Sequence, residues 1–111
     1  MSNKIFTIPL FDSKYKKFLR KFPSLPDEMK ELQSQLLGNP FQGANYGSGI
    51  YKIRVASKSK GRGKSGGFRV ITYLIDKRPT GIEIYLITIF DKSEESTLTK
   101  EEVKKIIKRV F

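Results

Sequence analysis

The sequence contains no cysteine, no histidine and no tryptophan among its 111 residues. The absence of cysteine excludes disulfide frameworks and thiolate metal sites, and it fits a reducing cytoplasm. The absence of histidine removes the usual acid–base group at neutral pH, imidazole ligands for a metal, and every nucleophile that depends on an imidazole. We therefore expect a function that uses no metal and no cofactor.

Long apolar runs are also missing. No apolar stretch approaches the ~20 residues that a transmembrane helix needs. The N-terminal segment lacks the long apolar region and the small-residue cleavage site of a secretory signal. We expect a cytoplasmic protein with no membrane partner, and a length that fits one domain over residues 1–111.

Acidic residues are scarce where basic residues concentrate. The chain has 22 Lys and Arg against 11 Asp and Glu, a net charge of +11, and no acid occurs between Glu31 and Asp76. Within that gap the segment 58–69 interleaves glycine and serine with five cations: Lys58, Lys60, Arg62, Lys64 and Arg69. A flexible cationic loop without nearby acids predicts contact with nucleic-acid phosphates, and RNA binding is assigned to its first four cations. The alternative is a solvated loop whose charge only aids solubility.

The first half of the chain predicts a strand and two helices. A short strand covers 4–10, and Asp12 caps a helix over 13–22 that Pro23 ends. Ser24 begins a second helix, and the pair forms a helical hairpin. The segment 41–49 is rich in glycine and asparagine and is predicted to be a loop.

The second half predicts three strands and a last helix. The strands cover 50–56, 68–75 and 82–90, and the turn 76–81 joins the last two as an antiparallel hairpin. Thr99 and Glu102 form a capping box that begins the terminal helix. The order β-α-α-β-β-β-α predicts an α+β fold, with an antiparallel sheet of about four strands and the helical hairpin on one side.

Three motifs resemble those of a known family. The sequence SGGFRVI at 65–71 is the most specific, YKIRV stands at 51–55, and LITIFDKSE stands at 86–94. They are similar to motifs of the RelE/HigB-type toxins of bacterial type II toxin–antitoxin modules, in the RelE/ParE superfamily. The similarity covers nearly the whole chain and leans toward the HigB-like branch.

The resemblance implies a small α+β domain with a curved antiparallel sheet and a concave basic surface. It also implies an endoribonuclease that cleaves messenger RNA in the ribosomal A site, inhibits translation, and is silenced by a cognate antitoxin. The positions that match the family's basic site residues are Lys52 and Arg54 on one strand, the signature Arg69, and Lys92 after the last strand.

One family feature is absent. Some members have a tyrosine near the start of the terminal helix that stacks on or activates the substrate, and the matching region 96–98 has none. Two tyrosines of the sheet are possible substitutes as RNA contacts: Tyr73 and Tyr85. Alternatively, these two rings only pack within the sheet and its core.

The chemistry available without histidine is mainly charge stabilisation. Arg54 and Arg69 are predicted to contact the scissile phosphate, since planar guanidinium groups suit bidentate phosphate binding. Neighbouring cations favour the neutral amine of Lys52, which makes it a candidate general base, with Glu94 as a carboxylate alternative. Lys92 is a candidate acid or a further phosphate clamp.

Two other functions compete with the nuclease. A ParE-like protein of the same superfamily would inhibit DNA gyrase without cleaving nucleic acid. A non-catalytic RNA-binding module would need only the basic loop. The strand cations Lys52 and Arg54, together with Arg69, favour the nuclease because gyrase inhibitors resemble this motif poorly.

Overall fold

The computed structural model describes residues 2–60 and 66–111, with the backbone alone for 95–97. The regular elements in chain order are strand β1 (Lys4–Thr7), helices α1 (Pro9–Leu19) and α2 (Leu25–Gly38), strands β2 (Ala44–Gly47), β3 (Ile50–Val55), β4 (Phe68–Asp76) and β5 (Ile82–Asp91), and helix α3 (Lys100–Val110). Short 3₁₀ segments cover Lys58–Lys60 and Lys92–Thr97. The predicted α+β class is confirmed.

The strands form one sheet in the order β1-β5-β4-β3-β2. The pairs β3–β4 and β4–β5 are antiparallel, as expected. The unpredicted strand β2 is antiparallel to β3, and β1 lies parallel to β5. A parallel partner requires a long connection, and everything between β1 and β5 supplies it. The described sheet therefore has five strands and one parallel pair, where about four antiparallel strands were predicted.

Strand β2 lies inside the segment 41–49, which the sequence predicted to be a loop. Ser48 and Gly49 join β2 to β3, with φ of 55° and 80°. Two central residues at positive φ are what a type I′ hairpin turn requires. A four-residue strand that holds glycine and asparagine carries no alternating apolar pattern, which is why the loop prediction was wrong.

Helix α1 begins four residues earlier than predicted. Ile8 is the residue before its first turn, and Pro9 occupies the first turn, where its fixed φ suits a helix and its missing N–H is not needed. Asp12, predicted to be the cap, already donates its backbone N–H to the Ile8 carbonyl at 3.1 Å. The helix also ends earlier than predicted, at Leu19 instead of residue 22.

The sheet lies between two helical layers. The rings of Phe18 and Phe22, from the helical hairpin, contact Phe68 of β4 at centroid distances of 5.0 and 5.1 Å. On the opposite face, Phe111 at the end of α3 contacts Tyr73 of β4 at 5.1 Å. The hairpin therefore takes one face of the sheet and α3 covers part of the other.

The terminal helix begins as predicted. The Thr99 Oγ1 accepts a hydrogen bond from the Glu102 backbone N–H at 3.2 Å. Val103 is fully buried, whereas Phe111 is 48% exposed. Across residues 2–60 and 66–111, no helix combines the length and the apolar character needed to cross a membrane.

Candidate functional site

The register of β3 and β4 brings the predicted strand cations onto one face of the sheet. Arg54 and Arg69 are direct partners across the two strands, and Lys52 lies two residues before Arg54. Side chains that stand opposite each other in an antiparallel pair, or two apart on one strand, point to the same face. Lys92 lies at the same end of the sheet, because its backbone N–H donates to the Gly67 carbonyl at 3.1 Å.

The cations on this face differ in exposure. Arg54 is exposed and Lys52 is half-buried, whereas Arg69 is only 1% exposed and donates from Nη1 to the Phe68 carbonyl at 3.2 Å. The 3₁₀ segment Lys92–Thr97 packs against β4, the strand that carries Arg69. Arg54 is placed to contact a phosphate directly, and in this conformation Arg69 is not. Direct contact of both arginines with the scissile phosphate stays a prediction.

A groove of about 780 Å³ runs between α2 and the outer edge of β3. It opens there because β2 pairs with β3 only as far as Lys52. Lys52, Arg54 and Lys58 line its β3 side, and Glu28 and Glu31 line its α2 side. The side chains of Lys52 and Arg54 point to the face of the sheet opposite the helical hairpin, so these two residues border the groove at the edge of β3.

Lys60 does not present its charge to solvent. Its ammonium forms an ion pair with Asp91, and it lies 5.5 and 5.0 Å from the ring centroids of Phe22 and Phe68. Burial by itself would raise the pKa of Asp91, but the bonds from Lys60 and from the Ser93 N–H outweigh it and hold that pKa below its usual range. Lys60 thus fastens the start of the basic segment to the end of β5, and the predicted phosphate contact is not supported.

The start of the basic segment is also anchored to α2. The Glu28 Oε2 accepts the backbone N–H of Lys58 at 2.7 Å, and Ser59 exchanges backbone-to-hydroxyl bonds with Ser24 at 2.9 and 3.0 Å. The expectation that no acid lies near this segment was wrong for its described part, because α2 and β5 approach it in space. The side chain of Lys58 remains exposed at the groove. Two predicted RNA contacts lie outside the described residues: Arg62 and Lys64.

Tyr73 and Tyr85 share the face of the cations but pack away from the groove. Both rings contact Phe111, at 5.1 and 4.7 Å, and Tyr85 also stacks on Phe6 at 5.0 Å. The Tyr85 hydroxyl donates to a Glu83 carboxylate oxygen at 3.1 Å. Burial first, and this bond second, raise the pKa of the Tyr85 phenol. This packing does not support the predicted RNA contacts.

Tyr46 is the tyrosine that lies beside the strand cations, and the sequence prediction missed it. Its ring centroid is 5.5 Å from the Lys52 Nζ and 4.8 Å from the Lys100 Nζ at the start of α3. It also lines the groove. The signal was the run NYGSG at 45–49, which fits a tight hairpin and would have placed this ring next to β3.

Glu94, the alternative base, lies elsewhere. It lines a smaller cavity of about 190 Å³ together with Thr88 and Phe90, and its Oε1 accepts from the Asp91 N–H at 3.4 Å. It is absent from the lining of the groove beside Lys52. Within 2–60 and 66–111, no three or more Asp and Glu residues group in a way that could hold a metal ion.

The sequence was also compared with known protein families. The family model described as the RelE toxin of the RelE/RelB toxin–antitoxin system matches residues 10–110. The chain belongs to the RelE toxin family. The resemblance seen in the three sequence motifs is confirmed at this level, while the HigB-like branch stays a prediction. The protein is a toxin of a toxin–antitoxin system, and its family implies an antitoxin as partner.

A solved RelE structure has the same fold. This chain matches a double arginine-to-alanine mutant of the E. coli toxin RelE in the free state, with a TM-score of 0.59 and 18% sequence identity. The match covers 100% of both chains. At this identity the similarity establishes the common RelE fold and assigns no role to individual residues.

Proposed function

We propose that this RelE family toxin is a ribosome-dependent endoribonuclease that cleaves messenger RNA in the A site and so inhibits translation. The observation that carries the proposal is the shared face of Lys52, Arg54 and Arg69, beside a groove at the edge of the sheet. Membership of the RelE toxin family supports the same class of reaction.

The reaction is attack by the RNA's own 2′-OH on the adjacent phosphodiester. The hydroxyl proton leaves, a pentacoordinate dianionic phosphorane forms, and the 5′ oxygen departs with a proton. Arg54, exposed on β3, donates to the phosphate oxygens through its planar fork. Arg69 is buried and pairs with Arg54 across the two strands. Its charge adds positive potential at the phosphate without contacting the substrate. Preorganised positive charge of this kind stabilises the transition state more than the ground state.

Lys52 takes the 2′-OH proton. It lies half-buried at the groove, on the face of the sheet that also carries Arg54 and Arg69. Lys92, exposed at the same end of the sheet, protonates the departing 5′ oxygen. Because none of these groups is a histidine, the ribosome contributes by holding the message in a reactive geometry.

The antitoxin silences the enzyme by covering this face. Arg54 and the β3 side of the groove are open and basic, so we expect acidic or hydrogen-bonding groups on the covering segment. Such a segment would exclude RNA by occupying the same space.

Expression in a bacterium, with mapping of RNA ends, tests the function. The nuclease arrests growth with messages cut at in-frame positions on translating ribosomes. A gyrase inhibitor would give DNA damage with intact messages, and an RNA-binding module would give neither result. The double variant Lys52→Ala, Arg54→Ala should lose both arrest and cutting. A control with the same charge change, Lys17→Ala, Lys30→Ala, alters exposed residues of the helical hairpin and should keep both.

A further inference from the structure

Tyr46 occupies a β-bulge at the edge of the sheet. Asn45 pairs with Tyr51 and Gly47 pairs with Ile50, so Tyr46 is the extra residue between two adjacent positions of β3. The Asn45 Oδ1 accepts the Gly47 N–H at 2.7 Å and closes the bulge. Bulges of this kind re-aim a side chain.

The re-aimed ring lies close to cations from two different elements. The Nζ atoms of Lys52 on β3 and of Lys100 on α3 lie 5.5 and 4.8 Å from its centroid. The ring is half-buried, and Tyr46 and Arg54 both belong to the lining of the groove. The arrangement offers an aromatic face with positive charge around it.

The stability of α3 does not explain the position of Lys100. Lys100 is the first residue of the helix, where the helix dipole favours anions and disfavours cations. Glu101 and Glu102, in the same turn, supply the favoured charge. Lys100 is exposed, and its ammonium group contacts the Tyr46 ring.

We propose that Tyr46 is a stacking platform for one base of single-stranded RNA, with Lys100 holding the phosphate beside that base. The inference rests on the proposed function, because it gives the same groove its substrate. Aromatic rings stack on every base through its π face, and neighbouring cations follow the backbone. A ring with an ammonium group beside it matches a base with its phosphate beside it.

Binding of an uncleavable RNA tests the platform without the ribosome. The probe is a 2′-O-methyl RNA of about ten nucleotides, within the site size of single-strand binders. Tyr46→Leu should weaken its binding about 5- to 100-fold, the effect of losing one stacked base, and Tyr46→Phe should stay within about twofold. Tyr51→Leu is the matched control: its ring lies on the other face of the sheet, toward Phe41, and it should bind like the wild type.

A second probe separates stacking from charge. It is an abasic oligonucleotide with the same number of phosphates, on which Tyr46→Leu should bind like the wild type. Lys100→Ala should weaken binding of both probes and reduce the slope of log affinity against log salt by about 1. Tyr46→Leu should leave that slope unchanged, a result that a merely structural role for the ring does not give.

Several results would overturn the platform. They are wild-type affinity of Tyr46→Leu for the base-bearing probe, an equal loss in Tyr46→Phe, or no preference of the wild-type protein for bases over the abasic probe. Cleavage on ribosomes, measured with the same proteins, keeps the two proposals apart. If the wild-type protein cleaves messages on ribosomes and Tyr46→Leu binds the probe as tightly as the wild type, only the platform is contradicted. If the wild-type protein prefers the base-bearing probe but does not cleave messages on ribosomes, only the nuclease function is contradicted.

Discussion

Arg54 and Arg69 lie directly opposite each other on adjacent antiparallel strands, the first exposed and the second only 1% exposed. Like charges in directly opposed positions of a sheet repel each other. A phosphate bound at Arg54 offsets that repulsion, so we expect the site to be more stable occupied than empty.

Arg54→Ala should separate activity from stability. Removal of one donor to a developing anion lowers a rate by about 100-fold or more, and single-turnover cleavage on ribosomes measures this loss. The melting temperature should stay the same or rise, because the substitution removes an exposed charge opposite a like charge. Arg20→Ala, an exposed arginine just after α1, should change neither quantity. A large fall in the melting temperature of Arg54→Ala would instead make the residue structural.

Bound RNA should stabilise the wild-type protein. At a ligand concentration 100 times Kd, linkage adds about 2.7 kcal/mol to the free energy of unfolding. Thermal melts with an uncleavable 2′-O-methyl RNA should show this shift. Arg54→Ala should show a smaller shift at the same RNA concentration, since its Kd is higher. Equal shifts in the two proteins would place the bound phosphate somewhere other than Arg54.

The Lys60–Asp91 pair should make stability depend on pH. The Asp91 pKa is lowered in the folded protein, so its carboxylate stabilises the fold above the unfolded pKa of about 3.9. That contribution is lost as the pH falls through the folded pKa. Urea unfolding should therefore show Asp91→Asn less stable than the wild type near neutral pH, with the difference shrinking below about pH 4.

The control for this pair is Glu31→Gln on the exposed surface of α2. The free energy of unfolding of this variant should differ little from that of the wild type, and the difference should change little with pH. A gap between Asp91→Asn and the wild type that stays constant from neutral pH to pH 3 would contradict the ion pair as the source of the stability.

Gly67 should not accept a side chain. A Cβ added there would lie 2.0 Å from the Val55 carbonyl oxygen, which is backbone and can move only if β3 and β4 separate. Strain of this kind places Gly67→Ala among the strongly destabilising substitutions, at about 2 kcal/mol or more. Gly38→Ala is the matched control, because a Cβ there meets nothing within 4 Å. Chemical denaturation should show the control to be as stable as the wild type, and equal losses in both variants would contradict the steric argument.

The parts of the fold that the sequence predicted are those fixed by local periodicity. Alternation in β3 indicated that Lys52 and Arg54 share a face, and the capping box located the start of α3 at Thr99. Tyr46 was missed because its position depends on a bulge in a four-residue strand, and so short a strand leaves no periodic signal.

The corrections to the site come from contacts between residues far apart in the chain. Lys60 meets Asp91, 31 positions away, so its neutralisation was not visible in the local acid count. Arg69 lies near the start of β4, where the 3₁₀ segment after β5 comes close because the Lys92 N–H donates to the Gly67 carbonyl. Local sequence patterns carry no information about either contact, whereas the family motif at 65–71 marked Arg69 as important without showing whether it is exposed.

Cleavage of a programmed message on purified ribosomes tests the central claim most directly. Two messages are compared, identical except that one carries a 2′-deoxyribose at the nucleotide whose 2′-OH would attack. The wild-type protein should cut the all-ribose message in the A site and leave a 2′,3′-cyclic phosphate, and it should leave the deoxy message intact. Cleavage of the deoxy message, or no cleavage of either message, would contradict an endoribonuclease that uses the 2′-OH of its substrate.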